Sequence, residues 1–534
     1  MRSASSRHPV RESQEQRRAV TRRAPATWML GALACVALAA AGLVFSGPAY
    51  LGYHGAELYG HAWVQWWHGE ALPAWPAGTE LAHGARNWPV IDPLPTFLGA
   101  ALGRILGYAA AWNLLSMASV GGAFIGGAAL AKRWKGDPWV GGTILALGPA
   151  LAGSLASGLT EDWALGLLAG ALALLSGKDN KELALGGLLL GLCVWCGLYL
   201  ALIGAGIALM LGIWRIAQGR QAWKGQLLAG GIAGALALPA LWLQGSRLGG
   251  EGHRAGNVLN QVEPLWQLNP WKGADLASFW VPGSPDLAAD ALVRMHPAYL
   301  GFGVLALAIW GGKSRWWVPA VALIVLSTGE QLRWAGEPLN LSNPFVLALQ
   351  SLPLTDLLNH YGRLLLGAQL ALAVLAARGA MKAPERLRWV LPLLLVVELT
   401  WVSPAIWPLP ITSAPQALVL NDLATKAPTG ELLTVPVAGP GVHLQQPLFE
   451  QRLHGWPVAA SPNRPGAPGA VTQTRTGRWL AGPKVKAPPD LDLRDLKKAG
   501  VRAIFVRPSH VEWVETGLGK PDQQGEGGAL YKIE

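Results

Sequence analysis

Long apolar runs separated by short polar segments recur from residue 27 to residue 403, among them 27–47, 109–131 and 225–245. About eleven such runs can be assigned, several shorter than the ~20 residues of a full bilayer crossing. This pattern predicts an all-α polytopic membrane domain over 27–403. The stretch 183–214 reads either as two short spans joined at Gly197 or as one long tilted span. Three long polar segments, 48–108, 246–297 and 329–362, fall on one side of the bilayer, and the connections on the other side are short. Function is therefore expected on the long-loop side, because loops held by a rigid scaffold carry chemistry. Beyond residue 403 the pattern changes. Residues 404–534 are Pro- and Gly-rich, with strand-like runs at Glu431–Val437 and Val501–Val506. Between them LRDLKKAG has helical spacing and a terminal Gly, so a helix followed by a strand is expected. A small C-terminal α/β domain follows from this.

Composition and charge give the pattern a direction. Charged residues make up 14% of the chain, hydrophobic ones 51%. That balance excludes a soluble enzyme, a disordered chain and a small disulfide scaffold. The net charge of +11 is a topology signal: 21 of the 43 Lys and Arg fall in 1–26, 132–137, 177–182, 215–224, 312–315 and 378–388. Basic residues resist translocation, so the arm 1–26 and the short loops are expected in the cytoplasm and 404–534 outside. The apolar run after the basic arm exceeds a signal peptide's ~7–15-residue core, so an uncleaved anchor is expected. The 27 Trp against 8 Tyr and 8 Phe suit bilayer interfaces. Cys35, Cys193 and Cys196 all lie in apolar runs, where packing is the expected role rather than metal or redox chemistry.

The densest candidate chemistry lies in the first long loop. If residues 54–70 are helical, His54, Glu57, His61 and His68 share one face. Tyr59, Trp63, Trp66 and Trp67 form the other, suited to lying in the headgroup layer. Three readings of the ionisable stripe stay open: a solvated face, a general base (Glu57) tuned by His61, or a divalent-metal site lacking a spaced fourth ligand. Glu161 and Asp162 occupy a tight turn on the same side, either as a solvated helix start or as carboxylates sharing a cavity with Glu57. Asp92, before Pro93, reads as a turn residue. Glu398 stands inside an apolar run, as a functional group or a snorkelling one. Arg363 opens a run at the depth of a lipid phosphate, as an anchor or a bidentate phosphate ligand.

Taken together, these motifs resemble the GT-C superfamily of integral-membrane glycosyltransferases, in particular its bacterial branch with a C-terminal extracytoplasmic domain. Glu57 followed by the Trp-rich segment and NWPVIDPL is similar to that branch's first loop, with Glu where the branch has Asp. HPAYLGFGVLAL, LPLTDLLNHYGRLLL, LLTVPV, FEQRLHGWPV and SPNRPG resemble its later motifs. The resemblance implies transfer of a sugar from a polyprenyl-phosphate donor to a glycan, lipid or protein acceptor at the outer face of the bacterial cytoplasmic membrane, in cell-envelope synthesis. No nucleic acid and no obligatory cofactor are implied, and a divalent metal stays open. It further implies Glu57 as the base; independently, a carboxylate near low-dielectric lipid is expected to have a raised pKa. Asp162 is a second catalytic candidate, and His61, Glu161, Arg363 and His454 are substrate-binding candidates. The alternative is a non-catalytic protein on the same scaffold that handles or transports a lipid-linked glycan.

Overall fold

The computed structural model describes residues 27–45, 49–53, 57–71, 92–217, 223–248, 273–281, 298–350, 360–413, 418–424, 430–437, 446–459, 469–482, 484, 486–488, 491–525 and 527–533. The basic arm, His54 and much of the long loops lie outside them. The helices used here are α1 (Thr27–Val44), α2 (Leu58–Ala71), α3 (Pro93–Leu106), α4 (Tyr108–Arg133), α5 (Pro138–Leu147), α6 (Pro149–Ser157) and α7 (Leu165–Leu175). There follow α8 (Asn180–Cys196), α9 (Leu198–Ala217), α10 (Trp223–Leu248), α11 (Phe302–Gly311), α12 (Trp317–Ser327), α13 (Pro344–Gln350), α14 (Leu365–Ala380) and α15 (Leu391–Val397).

Among the described residues, six helical stretches are long and apolar enough to cross a bilayer. The expectation of about eleven is not met on that criterion. The reason is length: α3, α11 and α12 are apolar but short, and hydropathy alone does not show where a helix stops. Gly197 divides 183–214 into α8 and α9, its backbone extended and its N–H donating to Cys193 O. Two helices, not one tilted span, fill that stretch.

The bundle holds broken helices because side chains satisfy the exposed backbone groups, as a bilayer requires. Gly148–Pro149 separates α5 from α6. Buried Gln369 of α14 repairs the break: its amide donates to Ile144 O (3.0 Å) and Leu145 O (3.2 Å) and accepts from Ala150 N–H (3.1 Å). Glu398 is neither free nor simply snorkelling. Its carboxylate accepts from Gly303 N–H (2.8 and 3.1 Å) and from the Tyr299 hydroxyl (3.2 Å), capping the start of α11. An acid there also complements the positive end of the helix dipole.

The two ends of the membrane domain are tied together. Strand β1 (Ala49–Leu51), which follows α1, pairs antiparallel with β4 (Ile411–Ser413), which follows the last apolar run. Asn113 of α4 fastens this ribbon, accepting from Leu51 N–H and donating to Ala49 O, each at 2.8 Å. The hairpin of β2 (Gln331–Trp334) and β3 (Glu337–Ser342) forms a separate two-stranded sheet. The C-terminal domain carries a four-stranded sheet in the order β5 (Glu431–Val435), β6 (Val501–Val506), β8 (Gly528–Lys532), β7 (Gln523–Gly525), with β5 and β6 parallel and the other pairs antiparallel. The helix Leu493–Lys498 leads into β6 as its sequence suggests, with Asp492 as N-cap.

The domain packs directly on α2. Trp63, Val64 and Trp67 join Leu420, Leu432, Leu448, Trp456 and Phe505 in one buried cluster. The aromatic face of α2 therefore does not lie in the headgroup layer: Trp63 is fully buried, and its indole N–H donates to Gln451 Oε1 at 2.8 Å. Amphipathic spacing shows that a face must be covered but not by what.

Candidate active site

The loop 158–164 is where the candidate residues converge. Gly158 adopts a left-handed conformation (φ 75°) at the end of α6, and a Cβ there would stand 2.5 Å from the Leu58 backbone. Glycine thus permits both the turn and the approach of α2. Glu57, one residue before α2, donates its backbone N–H to Ser157 O (3.0 Å), which seats it over the turn that carries Thr160, Glu161 and Asp162.

From Glu57 a chain of contacts runs inward. Glu57 Oε2 lies 3.2 Å from His61 Nε2, one helical turn on. His61 Nδ1 lies 2.8 Å from Thr160 Oγ1 and 3.5 Å from Asp92 Oδ2. The Thr160 hydroxyl donates to Asp92 Oδ2 at 2.5 Å. Asp92 precedes α3 without capping it by a side-chain hydrogen bond; its carboxylate is turned instead to Thr160 and His61. Sequence reading as a turn residue missed this role, since no local spacing links position 92 to 61 or 160. Asp162 is fully buried behind them, beside the Ser154 hydroxyl.

Position decides which carboxylate can meet a ligand. The Glu57 side chain is 28% exposed, that of Asp92 4%, and Asp162 is not exposed at all. Burial raises the pKa of Glu57, but the His61 hydrogen bond and charge, with the charges of Arg363 and His360, outweigh it and hold the carboxyl at about 2. The raised pKa expected for Glu57 is therefore reversed: adjacent cations overcome the low-dielectric surroundings. The raised carboxyls are the inner ones. Burial pushes Asp92 up despite His61 and Thr160, and pushes Asp162 up to about 7, with Asp92 adding to it.

Arg363 reaches the same region from the turn before α14. It is buried, forms an ion pair with Glu161, and stacks 5.1 Å from the Tyr199 ring centroid. Glu161 and Arg363 thus meet each other, next to the charges of Glu57 and Asp92. His454 lies apart, 4% exposed in the C-terminal domain. Its Nδ1 accepts from Trp456 N–H at 3.0 Å, while Gln451 donates to Trp456 O. FEQRLHGWPV is thus a lock: Gln451 grips both this turn and Trp63 of α2. Among the described residues no group of three His, Cys, Asp or Glu side chains is arranged to hold a metal ion.

Burial holds His454 at about 4, below its usual 6.5. Below 6.5 the unfolded chain takes up a proton that the folded chain refuses until about pH 4. Stability is therefore expected to fall as pH drops through that window, by up to about 3 kcal/mol from this residue. Thermal unfolding midpoints of the full chain between pH 7.5 and 4 should show a shallower slope for His454→Gln than for wild type. Equal slopes would remove His454 as the cause.

No protein-family model matches the sequence, and no curated protein matches it. Solved structures do. A single-particle cryo-EM structure of the arabinofuranosyltransferase AftD from Mycobacteria aligns with a TM-score of 0.59 at 14% identity, covering 95% of this chain and 41% of that one. A second cryo-EM class of that arabinofuranosyltransferase aligns at 0.53 and 16% identity, again covering 95% and 41%. The oligosaccharyltransferase from Archaeoglobus fulgidus, solved as a complex with Zn and sulfate, aligns at 0.51 and 14% identity, covering 92% and 70%. Both are GT-C proteins. This chain spans about two fifths of the arabinofuranosyltransferase (41%), and its fold is GT-C-like.

Proposed function

We propose that the protein is a membrane glycosyltransferase that moves a sugar from a polyprenyl-phosphate donor to an acceptor hydroxyl at the outer face of the cytoplasmic membrane. The observation that carries this reading is the convergence, on a GT-C-like scaffold, of Glu57, His61, Thr160 and Asp92 beside the Arg363–Glu161 pair. Glu57 is the accessible carboxylate of the group, so the base role falls to it. The acceptor hydroxyl gives its proton to Glu57 as its oxygen attacks the anomeric carbon, and the bond to the polyprenyl phosphate breaks on the opposite face of the sugar. Held at about 2, Glu57 is always ionised but a weak proton acceptor, so its chief contribution is a fixed negative charge and orientation of the hydroxyl. His61 positions Glu57, and Thr160 and Asp92 position His61. Arg363 is the cation nearest to receive charge on the departing phosphate, sharing its guanidinium with Glu161 as it does so.

The test is reconstitution. The full chain in vesicles, given radiolabelled polyprenyl-phosphate pentoses and hexoses with a membrane acceptor fraction, should consume donor and label the acceptor. Transport of intact lipid-linked glycan across the bilayer, with no cleavage at the anomeric carbon, would instead support the non-catalytic alternative.

A further inference from the structure

The segment from Glu330 to Gln350 is built rigidly yet presents an apolar surface. Asn343 fixes it at one end: its side-chain amide donates to Val325 O (2.8 Å) and Thr328 Oγ1 (3.0 Å) at the end of α12, and its Oδ1 accepts from Phe345 N–H (3.0 Å) at the start of α13. Val346 is fully buried in the bundle core. Gln350 donates to the Tyr361 hydroxyl (3.1 Å) and to Glu330. Buried Asp275 holds the hairpin tip, accepting from Ala335 N–H (3.0 Å) and Gly336 N–H (2.6 Å), two residues with left-handed backbones (φ 53° and 88°). Against this frame Trp334 (53% exposed), Leu341 (58%), Phe345 (64%) and Leu347 (47%) point away from the protein.

We infer that the β2–β3 hairpin and α13 form a membrane-surface element, seated in the headgroup layer of the leaflet at the Arg363 end of the bundle. Three observations choose lipid as the occupant. The element follows directly from α12, an apolar helix whose Val318 (62%) and Val321 (51%) are exposed as on a lipid-facing helix. Its height is set by Gln350 and Tyr361, two residues from Arg363, at the end of the span Tyr361–Ala380. Asp275 takes up the tip's amide hydrogens, which a low-dielectric layer would leave costly. The outer edge of β3 and exposed Glu337 and Asn340 keep the element out of the hydrocarbon, since an open strand edge cannot be satisfied there. Trp334 belongs at that depth by its ring chemistry. In water, an exposed apolar hairpin would invite aggregation.

Site-directed spin labels test this on the full chain in phosphatidylcholine–phosphatidylglycerol vesicles. Cys35, Cys193 and Cys196 are all buried, so labels enter selectively at Leu341→Cys or Phe345→Cys, with Lys520→Cys on the C-terminal domain as the aqueous reference. The ratio of oxygen to nickel-chelate collisions at 341 and 345 should exceed that at 520 by about fivefold or more, at a depth of roughly 5–10 Å. Nickel collisions as frequent at 341 and 345 as at 520 would overturn the inference in favour of a water-exposed surface. Immobile labels shielded from both reagents would overturn it in favour of a protein partner or second copy. A label at Leu347→Cys repeats the measurement should either variant fail to reconstitute. None of these outcomes depends on whether sugar transfer occurs.

Discussion

Glu57→Gln is expected to lower turnover by about 100-fold or more while the protein stays folded. The substitution keeps the shape and one hydrogen-bond acceptor toward His61, 3.2 Å away, and removes the negative charge that meets the acceptor hydroxyl. Because His61, Arg363 and His360 hold the carboxyl at about 2, the wild-type rate should show no acidic limb from Glu57 between pH 4 and 5, where an ordinary Glu would titrate. The same shift makes a stability contribution that is complete above the unfolded value of 4.5 and is lost as pH falls through about 2. Glu57→Asp withdraws the carboxylate by about one methylene, and a misplacement of ~1 Å can cost two orders of magnitude in rate. Transfer rates of reconstituted wild type and both variants, with unfolding midpoints as the control, decide the matter. Full activity in Glu57→Gln would end the catalytic reading.

The largest stability effect is expected at the Glu161–Arg363 pair. Both side chains are largely buried, 13% and 8% exposed, so Glu161→Gln strands a guanidinium in low dielectric. Breaking such a pair costs about 3–5 kcal/mol. Glu57 and Asp92 also lie near the arginine's charge, which places the cost at the lower end of that range. Replacing both partners, Glu161→Leu with Arg363→Met, should recover most of the loss, because desolvation of the pair offsets much of its attraction. Thermal midpoints of the two single variants and the double variant form the cycle; additive losses would mean that the residues do not act as a pair. Arg363→Lys keeps the charge but not the planar fork, and should weaken donor use more than acceptor binding.

Local sequence determined a good deal here. Apolar run length, basic-loop asymmetry and the helical period are properties of neighbouring residues, so the membrane domain, the helix before β6 and the i, i+4 pairing of Glu57 with His61 could all be read directly. What the tertiary structure decided lies between distant positions. Asp92 meets His61 beside Thr160, which bonds to both and stands 99 residues from His61. Trp63 faces Gln451, 388 residues away, rather than lipid, and Gln369 mends a helix break 219 residues earlier. The Glu57 shift drew on both local and distant residues. A carboxylate beside a bilayer should rise by desolvation, and it falls because of His61, one helical turn on, joined by Arg363 and His360 from about three hundred residues downstream. Periodicity tells which side of a helix must be covered; which charge or ring covers it is fixed only when remote segments close on one another, because electrostatic and packing energies depend on distance in space and not along the chain.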